Sequence, residues 1–380
     1  MDSPARSPTA AYIHVPFCAH RCGYCNFTLV AGRDDLVDRY LDAVAVELRS
    51  VGGVYAVDTI FFGGGTPTHL PASALARLFD LVERAFPLAP GGEFSVEANP
   101  IDVTPQLVEL LARRGVTRLS LGAQSFDPGK LTLLERDHSP ETIRRAYRWA
   151  ADALQAVSLD LIFGCPEEDA ATWQADLDAA IELAPAHVST YGLTIERGTA
   201  FWARRAKGRL TPLDEEQERG LYAQAIDSLA AAGYEHYEVS NFAQPGRRCR
   251  HNENYWSGGD YFAVGPGAAR HLAGRRELNH RSATTYIKRV LGGQSPVAES
   301  EQLGPEDRAR ERLVFGLRRM AGVERGEFVR ATGFALDALG GEALRRFVDA
   351  GLLADDGASV RLTREGLFVS DALWPHFLRA

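Results

Sequence analysis

From residue 11 to residue 193, short apolar runs alternate with helical patterns, and that alternation leaves few folds open. The runs occupy 11–15, 57–62, 93–97, 118–121, 158–163 and 188–193. Helical periodicity fills the intervals at 36–48, 72–86, 105–114, 140–153 and 171–183; in the first of these Leu41, Val44 and Leu48 share one face. Strands separated by helices in this order pair in parallel, so an α/β architecture is predicted. The runs are short and evenly spaced, as in a barrel wall, with polar residues clustered just past their ends, where such barrels place chemistry. A partial parallel (β/α)6 barrel is therefore expected, with an open doubly wound sheet as the other arrangement of the same elements.

A further helix is predicted at 214–232 and a last strand at 234–239. The stretch 244–280 is rich in Gly, Arg, His and aromatic residues and reads as loops around a site. Helices at 307–320, 324–332 and 339–350 are followed by short strands near 351 and at 360–363, the pattern of a winged-helix-like α+β module. The expected division is a disordered tail over 1–10, the barrel over 11–240, a connecting segment over 241–300 and the C-terminal module over 301–380. With 42 Lys and Arg against 50 Asp and Glu, the net charge is −8. That balance argues against a general nucleic-acid binder, because phosphate contacts need a basic surface. No apolar run approaches the ~20 residues of a membrane span, and residues 1–10 lack the apolar core of a signal peptide; a cytoplasmic location is expected.

Three of the five cysteines, Cys18, Cys22 and Cys25, fall within eight residues directly after the first strand. In a reducing compartment such a group signals metal rather than disulfide. Three thiolates on one short loop can hold three irons of a [4Fe–4S] cube and leave the fourth open to a small molecule. Phe17, Tyr24 and Phe27 flank the loop and would shield a cluster. Zinc, with His14 or His20 as fourth ligand, is the alternative, although the usual second C-x-x-C pair is missing.

The C-x-x-x-C-x-x-C spacing after a first strand resembles the radical S-adenosylmethionine (SAM) proteins, in which the amino and carboxylate groups of SAM chelate the fourth iron. Further motifs resemble the oxygen-independent coproporphyrinogen III oxidase group: Tyr-Ile-His-Val-Pro-Phe-Cys at 12–18, Gly-Gly-Gly-Thr-Pro at 63–67, Val-Glu-Ala-Asn-Pro at 96–100, Leu-Gly-Ala-Gln-Ser-Phe at 121–126 and Asp-Leu-Ile-Phe-Gly at 160–164. The resemblance implies SAM contacts from Tyr12, Gly64, Gly65, Thr66, Glu97, Gln124, Arg136 and Asp160. Glu97, Gln124 and Asp160 are polar groups in or beside apolar strands, costly to bury unless a ligand or neighbour partners them.

The segment His251-Asn-Glu-Asn-Tyr-Trp resembles the haem-binding signature of the radical SAM haem chaperones, the HemW subgroup. That likeness makes 241–300 a haem-binding segment, with His251 or Cys249 as candidate axial ligand and aromatic residues against the macrocycle. Cys165 is expected to be a small apolar filler.

Two departures separate the chain from the oxidases. Phe27 stands where they carry a fourth cysteine, in C-x-C, and only about ten residues precede the first strand. Both departures match the chaperones. The resemblance thus implies three cofactors or cargoes: a [4Fe–4S] cluster, SAM and haem. It also implies transfer of haem to acceptor haemoproteins, respiratory ones among them, with at most transient membrane contact, in a monomer or homodimer. Oxidative decarboxylation of coproporphyrinogen is the alternative activity, and Phe27 argues against it. A DNA-binding regulator with the cluster as redox sensor is the third reading, disfavoured by the low basic charge of the C-terminal module.

Overall fold

A computed structural model describes residues 9–379. Among these, the main sheet is built from β1 (Ala10–Val15), β2 (Val57–Gly64), β3 (Leu88–Ala98), β4 (Arg118–Gln124), β5 (Ala156–Phe163), β6 (His187–Gly192), β7 (Glu235–Glu238), β8 (Asn241–Ala243), β9 (Tyr261–Val264), β10 (Ala269–Leu272), β11 (Arg275–Asn279) and β12 (Val297–Gln302). Their order across the sheet is β12-β11-β10-β9-β1-β2-β3-β4-β5-β6-β8-β7. The run from β9 to β6 is parallel throughout, while β8 joins β6 antiparallel and β10 joins β9 antiparallel. The sheet therefore does not close, and the wall is a partial barrel.

The six expected strands and the helices between them are present. Helices start where short polar side chains accept an orphan N–H: Thr104 from Leu107, Ser139 from Thr142, Asp169 from Thr172, and Asp214 with Gln217 as a full capping box. Leu41, Val44 and Leu48 of the first long helix, Val37–Ser50, are buried as the periodicity demands. They belong to a continuous core shared with Ile13, Phe62, Val96, Leu119, Leu159 and Val188 from successive strands.

The 244–280 stretch departs from expectation. It contains the helix Arg250–Trp256 and three strands of the main sheet. Strand β9 lies parallel to β1 with Ala10 opposite Tyr261, so 234–239 is not the last strand. Glycines that read as loop punctuation are the turns between these strands. The buried Glu47 carboxylate holds them in place, accepting from Gly265 N (2.9 Å), Asn279 Nδ2 (2.7 Å) and Tyr286 Oη. Of the expected tail, residues 1–8 lie outside the described residues; Ala10 is a fully buried member of β1.

Residues 309–377 form a separate core around Leu313, Phe328, Phe347, Val360 and Phe377. There a three-stranded antiparallel sheet, with Ser359–Leu362 in the middle, packs with helices Pro305–Leu317, Arg325–Thr332 and Leu336–Asp349. Among the described residues no helix is long and apolar enough to cross a membrane.

Candidate functional site

Parallel strands present their C-terminal ends on one face, and the motifs gather there. A cavity of ≈ 390 Å³ opens at that end. Cys18, Cys22, Cys25, Gly64, Gly65, Thr66, Glu97, Gln124, Arg136 and Asp160 all line it. Residues from five separate motifs thus meet in one space.

Backbone geometry makes the glycine turn after β2 necessary. Gly64 has φ +112°, and a Cβ there would lie 2.5 Å from the His14 ring; a Cβ on Gly65 would lie 2.7 Å from the Phe17 carbonyl oxygen. The turn is stitched to the cysteine loop, Gly65 N donating to Val15 O and Thr66 N to Phe17 O, each at 2.7 Å. Gly64 N donates to Glu97 Oε2 at 3.0 Å. The cysteine loop is held from the other side by the helix Ala200–Ala206: Phe201 N donates to Gly23 O at 2.9 Å, and a side chain on Gly23 would strike the Phe201 ring.

The donor set suits an iron–sulfur cluster. Thr66 Oγ1 lies 3.3 Å from Cys18 Sγ and Arg136 Nη1 donates to Cys22 Sγ at 3.5 Å, contacts of the kind that tune cluster sulfurs. The Arg136 side chain lines the cavity, and its buried Nε has no hydrogen-bond partner. Burial pushes the Cys18 thiol up to about 11 and raises Cys25 as well; these thiols need a bound cation to ionise. Zinc finds less support. His14 does not line the cavity, and its ring nitrogens are engaged by Tyr12 Oη (3.1 Å) and Thr28 O (2.7 Å). His20 Nε2 is bound to Glu135 O at 2.6 Å.

Two half-buried carboxylates form the cavity floor. Burial, then the nearby Asp160 charge, raises Glu97 to about 8. Burial raises Asp160 to about 6 against the opposing hydrogen bonds of Ser189 and Ser120. At neutral pH Glu97 therefore holds its proton, while Asp160 is mostly ionised and its charge helps keep Glu97 protonated. The unfolded chain ionises Glu97 above its ordinary 4.5 while the folded chain holds the proton to about 8. Stability is therefore lost as pH rises through that window. At about 1.4 kcal/mol per unit, Glu97→Gln is expected to be more stable than wild type at pH 8 by a few kcal/mol and equal to it near pH 4.5. Urea unfolding of the ligand-free protein at the two pH values checks this; equal stabilities at both would remove the raised carboxyl.

Tyr12 is placed differently from the other seven expected SAM residues. It faces a second chamber of ≈ 220 Å³ deeper in the barrel, with Phe61, Arg118, Ser158, His187 and Tyr255; Glu97, Ser120, Asp160 and Tyr191 border both spaces. Its hydroxyl bonds His14 Nδ1.

The expected haem pair lies at the far end. His251 is 1% exposed, its nitrogens bonded to Thr59 Oγ1 (2.8 Å) and Tyr255 Oη (2.9 Å), its ring stacked on Phe61. Burial lowers it to about 3. Cys249 is buried with its thiol against Glu93 Oε1. Thr59 and Phe61, the β2 residues against the His251 ring, precede Gly65 by six and four positions. The structure thus places His251 and Cys249 on the inner chamber beneath Glu97 and Asp160, and not on the outer cavity. Local sequence showed a histidine among aromatics, and the burial comes from β2 and β3, which lie far away in the chain.

Residues that sequence reasoning passed over also line the cavity, among them Asn99, Gly122, Tyr191, Thr194 and Glu196. Asn99 Oδ1 accepts from Arg136 Nη2 (3.1 Å) and pairs with His138 Nδ1 (3.1 Å). Its place in the Glu-Ala-Asn-Pro motif, two residues past Glu97, was the available signal. Gln124 sits at φ +64°. The following turn, Ser125–Phe126, is bonded to the buried Asp176, which pairs with Lys130 Nζ at 2.9 Å; Lys130 also pairs with Glu168.

The fold and the cavity together define a radical SAM protein. The Radical SAM superfamily model matches residues 12–180, and the HemN C-terminal domain model matches 303–369. The chain belongs to the HemW family: it is 34% identical to the heme chaperone HemW of Bacillus subtilis over 97% of this chain and 99% of that one. It is 37% identical to HemW of Mycobacterium tuberculosis (96% and 94%) and 33% identical to HemW of Escherichia coli (98% of each). Among solved structures, coproporphyrinogen III oxidase (HemN) from Escherichia coli matches in fold with TM-score 0.86 at 21% identity, over 98% of this chain and 90% of that one.

Proposed function

We propose that this chain is a haem chaperone that carries a [4Fe–4S] cluster and SAM in its outer cavity and passes haem to acceptor haemoproteins, those of the respiratory chain in particular. The observation that carries the reading is full-length similarity to named heme chaperones in a chain with Phe27 where the resembling oxidases have a cysteine. Cys18, Cys22 and Cys25 would hold the cluster; Gly64, Gly65, Thr66, Glu97, Gln124, Arg136 and Asp160 would hold SAM. When bound, the cluster supplies an electron and an open iron for the amino and carboxylate groups of SAM.

The chain's own groups have separable tasks. Gly64 and Gly65 bring backbone close to the ligand. Arg136 places positive charge beside Cys22. Glu97 would release its proton to an ammonium or hydroxyl partner, and Asp160 would accept from such a partner as a carboxylate. Tyr12 and the inner chamber lie beneath these carboxylates and fix their depth.

Anaerobic reconstitution with iron and sulfide, followed by titration with haem, tests the reading, with a coproporphyrinogen turnover assay on the same sample. One haem bound per chain and no turnover is the expected result. Turnover with weak haem binding would make the chain an oxidase.

A further inference from the structure

The main sheet is open, and its two edge strands are β12 and β7. The helix Pro305–Leu317 reaches from one edge to the other. Before its start, Leu303 N continues from β12 and donates to Gly274 O at 2.9 Å; Glu311 then pairs with Arg276 of β11, accepting from Nη2 at 2.6 Å. Just past its end the backbone pairs with β7. Val239 N donates to Arg318 O and Met320 N to Tyr237 O, each at 3.1 Å, with Glu238 opposite Arg319. The C-terminal module thus clasps the two edges that the strands leave unjoined. Its hold is firmest on the β7 side, where Tyr222 and Ile226 of the helix Glu215–Ala231 pack with Val239 on its core.

The helix Arg250–Trp256 lies against this clasp. His251, Asn252 and Tyr255 line the inner chamber, while Trp256 meets the clasp: the Arg318 guanidinium is 4.6 Å from its ring centre and the Phe315 ring 6.3 Å away. The start of the helix is pinned by Glu93, which accepts from the Arg250 and His251 backbone. Its end is held by Tyr261 against Tyr255 and by the clasp against Trp256. A helix of seven residues depends on such tertiary contacts to persist. The contact at Trp256 is only partly satisfied, since among the described residues Trp256 Nε1 and Arg318 Nε are buried there without a hydrogen-bond partner. Orphans of this kind favour an arrangement in which water reaches them.

The inner chamber measures ≈ 220 Å³, below the roughly 300–1,000 Å³ of pockets for drug-sized ligands. A porphyrin needs space toward the upper end of that range, and His251 is 1% exposed. A macrocycle therefore reaches this helix only if part of the wall moves. The parallel strands are fixed by ladders and a continuous core, which leaves the helix and its clasp as the movable part. We propose that the Arg318–Trp256 contact is the latch of a haem gate: the C-terminal module swings on its Tyr222–Ile226 side, the helix Arg250–Trp256 pivots about its Glu93 pin, and the inner chamber opens to a porphyrin. The proposal rests on the haem-carrier reading above and on the likeness of 251–256 to a haem-binding signature. It gives the C-terminal module the task of setting the rates of loading and release.

Stopped-flow mixing of ferric protoporphyrin with the cluster-reconstituted full chain tests this, together with hydrogen exchange of the ligand-free chain over 250–258. Arg318→Ala is expected to speed that exchange by about tenfold, and to speed haem association and dissociation several-fold each, with equilibrium affinity changed far less. Asp371, the other partner of Arg318, has a 92% exposed side chain, so its loss contributes little. Arg318→Lys keeps a cation over the ring and is expected to stay near wild type. Arg325→Gln, which removes pairs to Asp337 and Asp355 within the module, controls for general loosening and is expected to change neither rate. Unchanged exchange in Arg318→Ala, faster exchange without faster haem association, or the same acceleration in Arg325→Gln would each overturn the latch. A wild-type chain that binds no haem would overturn the carrier reading, and the gate with it.

Discussion

Lys130→Met is expected to destabilise the protein by about 3–5 kcal/mol at neutral pH, the range for breaking a buried ion pair from one side. Lys130 is 5% exposed, Glu168 8% and Asp176 1%. Removing the ammonium leaves two carboxylates facing each other without a counter-charge. Asp176 keeps the Ser125 hydroxyl and the Phe126 N–H, and Glu168 keeps the Cys165 N–H, but neutral donors do not replace a cation in that environment. The deficit should narrow as pH falls and the carboxyls take up protons. Urea unfolding across a pH series measures it; a wild-type midpoint at neutral pH would show the network to be surplus to stability. Asp176 also anchors the turn after Gln124, so SAM affinity should fall in the surviving folded fraction.

The second large effect is on the metal. Cys22→Ser is expected to lose the iron colour after reconstitution, together with detectable SAM binding, while Cys165→Ala keeps both. A serine hydroxyl is a far poorer iron ligand than a thiolate, and Arg136 would lose its sulfur partner at the same time. Iron and sulfide analysis with equilibrium SAM binding reads the outcome. Retention of both in Cys22→Ser would refute the ligand assignment.

How much of this was legible depends on how local each signal was. The cysteine spacing, the glycine turn and the six parallel strands are written in stretches of four to eleven residues, and the period of apolar residues locates them. Strand β9 is four residues long, Tyr261–Val264, and its partner β1 is some 250 positions earlier; no local period could mark it. Lys130 reads as a surface lysine because Glu168 and Asp176 are 38 and 46 residues away. Tyr12 and His14 alternate with Ile13 along β1, which places their rings inside the barrel, though only the neighbouring strands reveal at what depth. At 251–256 the sequence showed the aromatic composition but not the setting, since the stretch packs against Thr59, Phe61 and Glu93 of the barrel wall and borders the inner chamber.

Arg118 bonds Glu93, Ser158 and the carbonyls of Arg247 and Arg248, while Glu93 accepts from the backbone of Arg250 and His251. The 247–251 segment is thus tied to β3, β4 and β5 at once. A change at Arg118 would therefore loosen that segment from three strands together, and a local substitution would be felt across the wall.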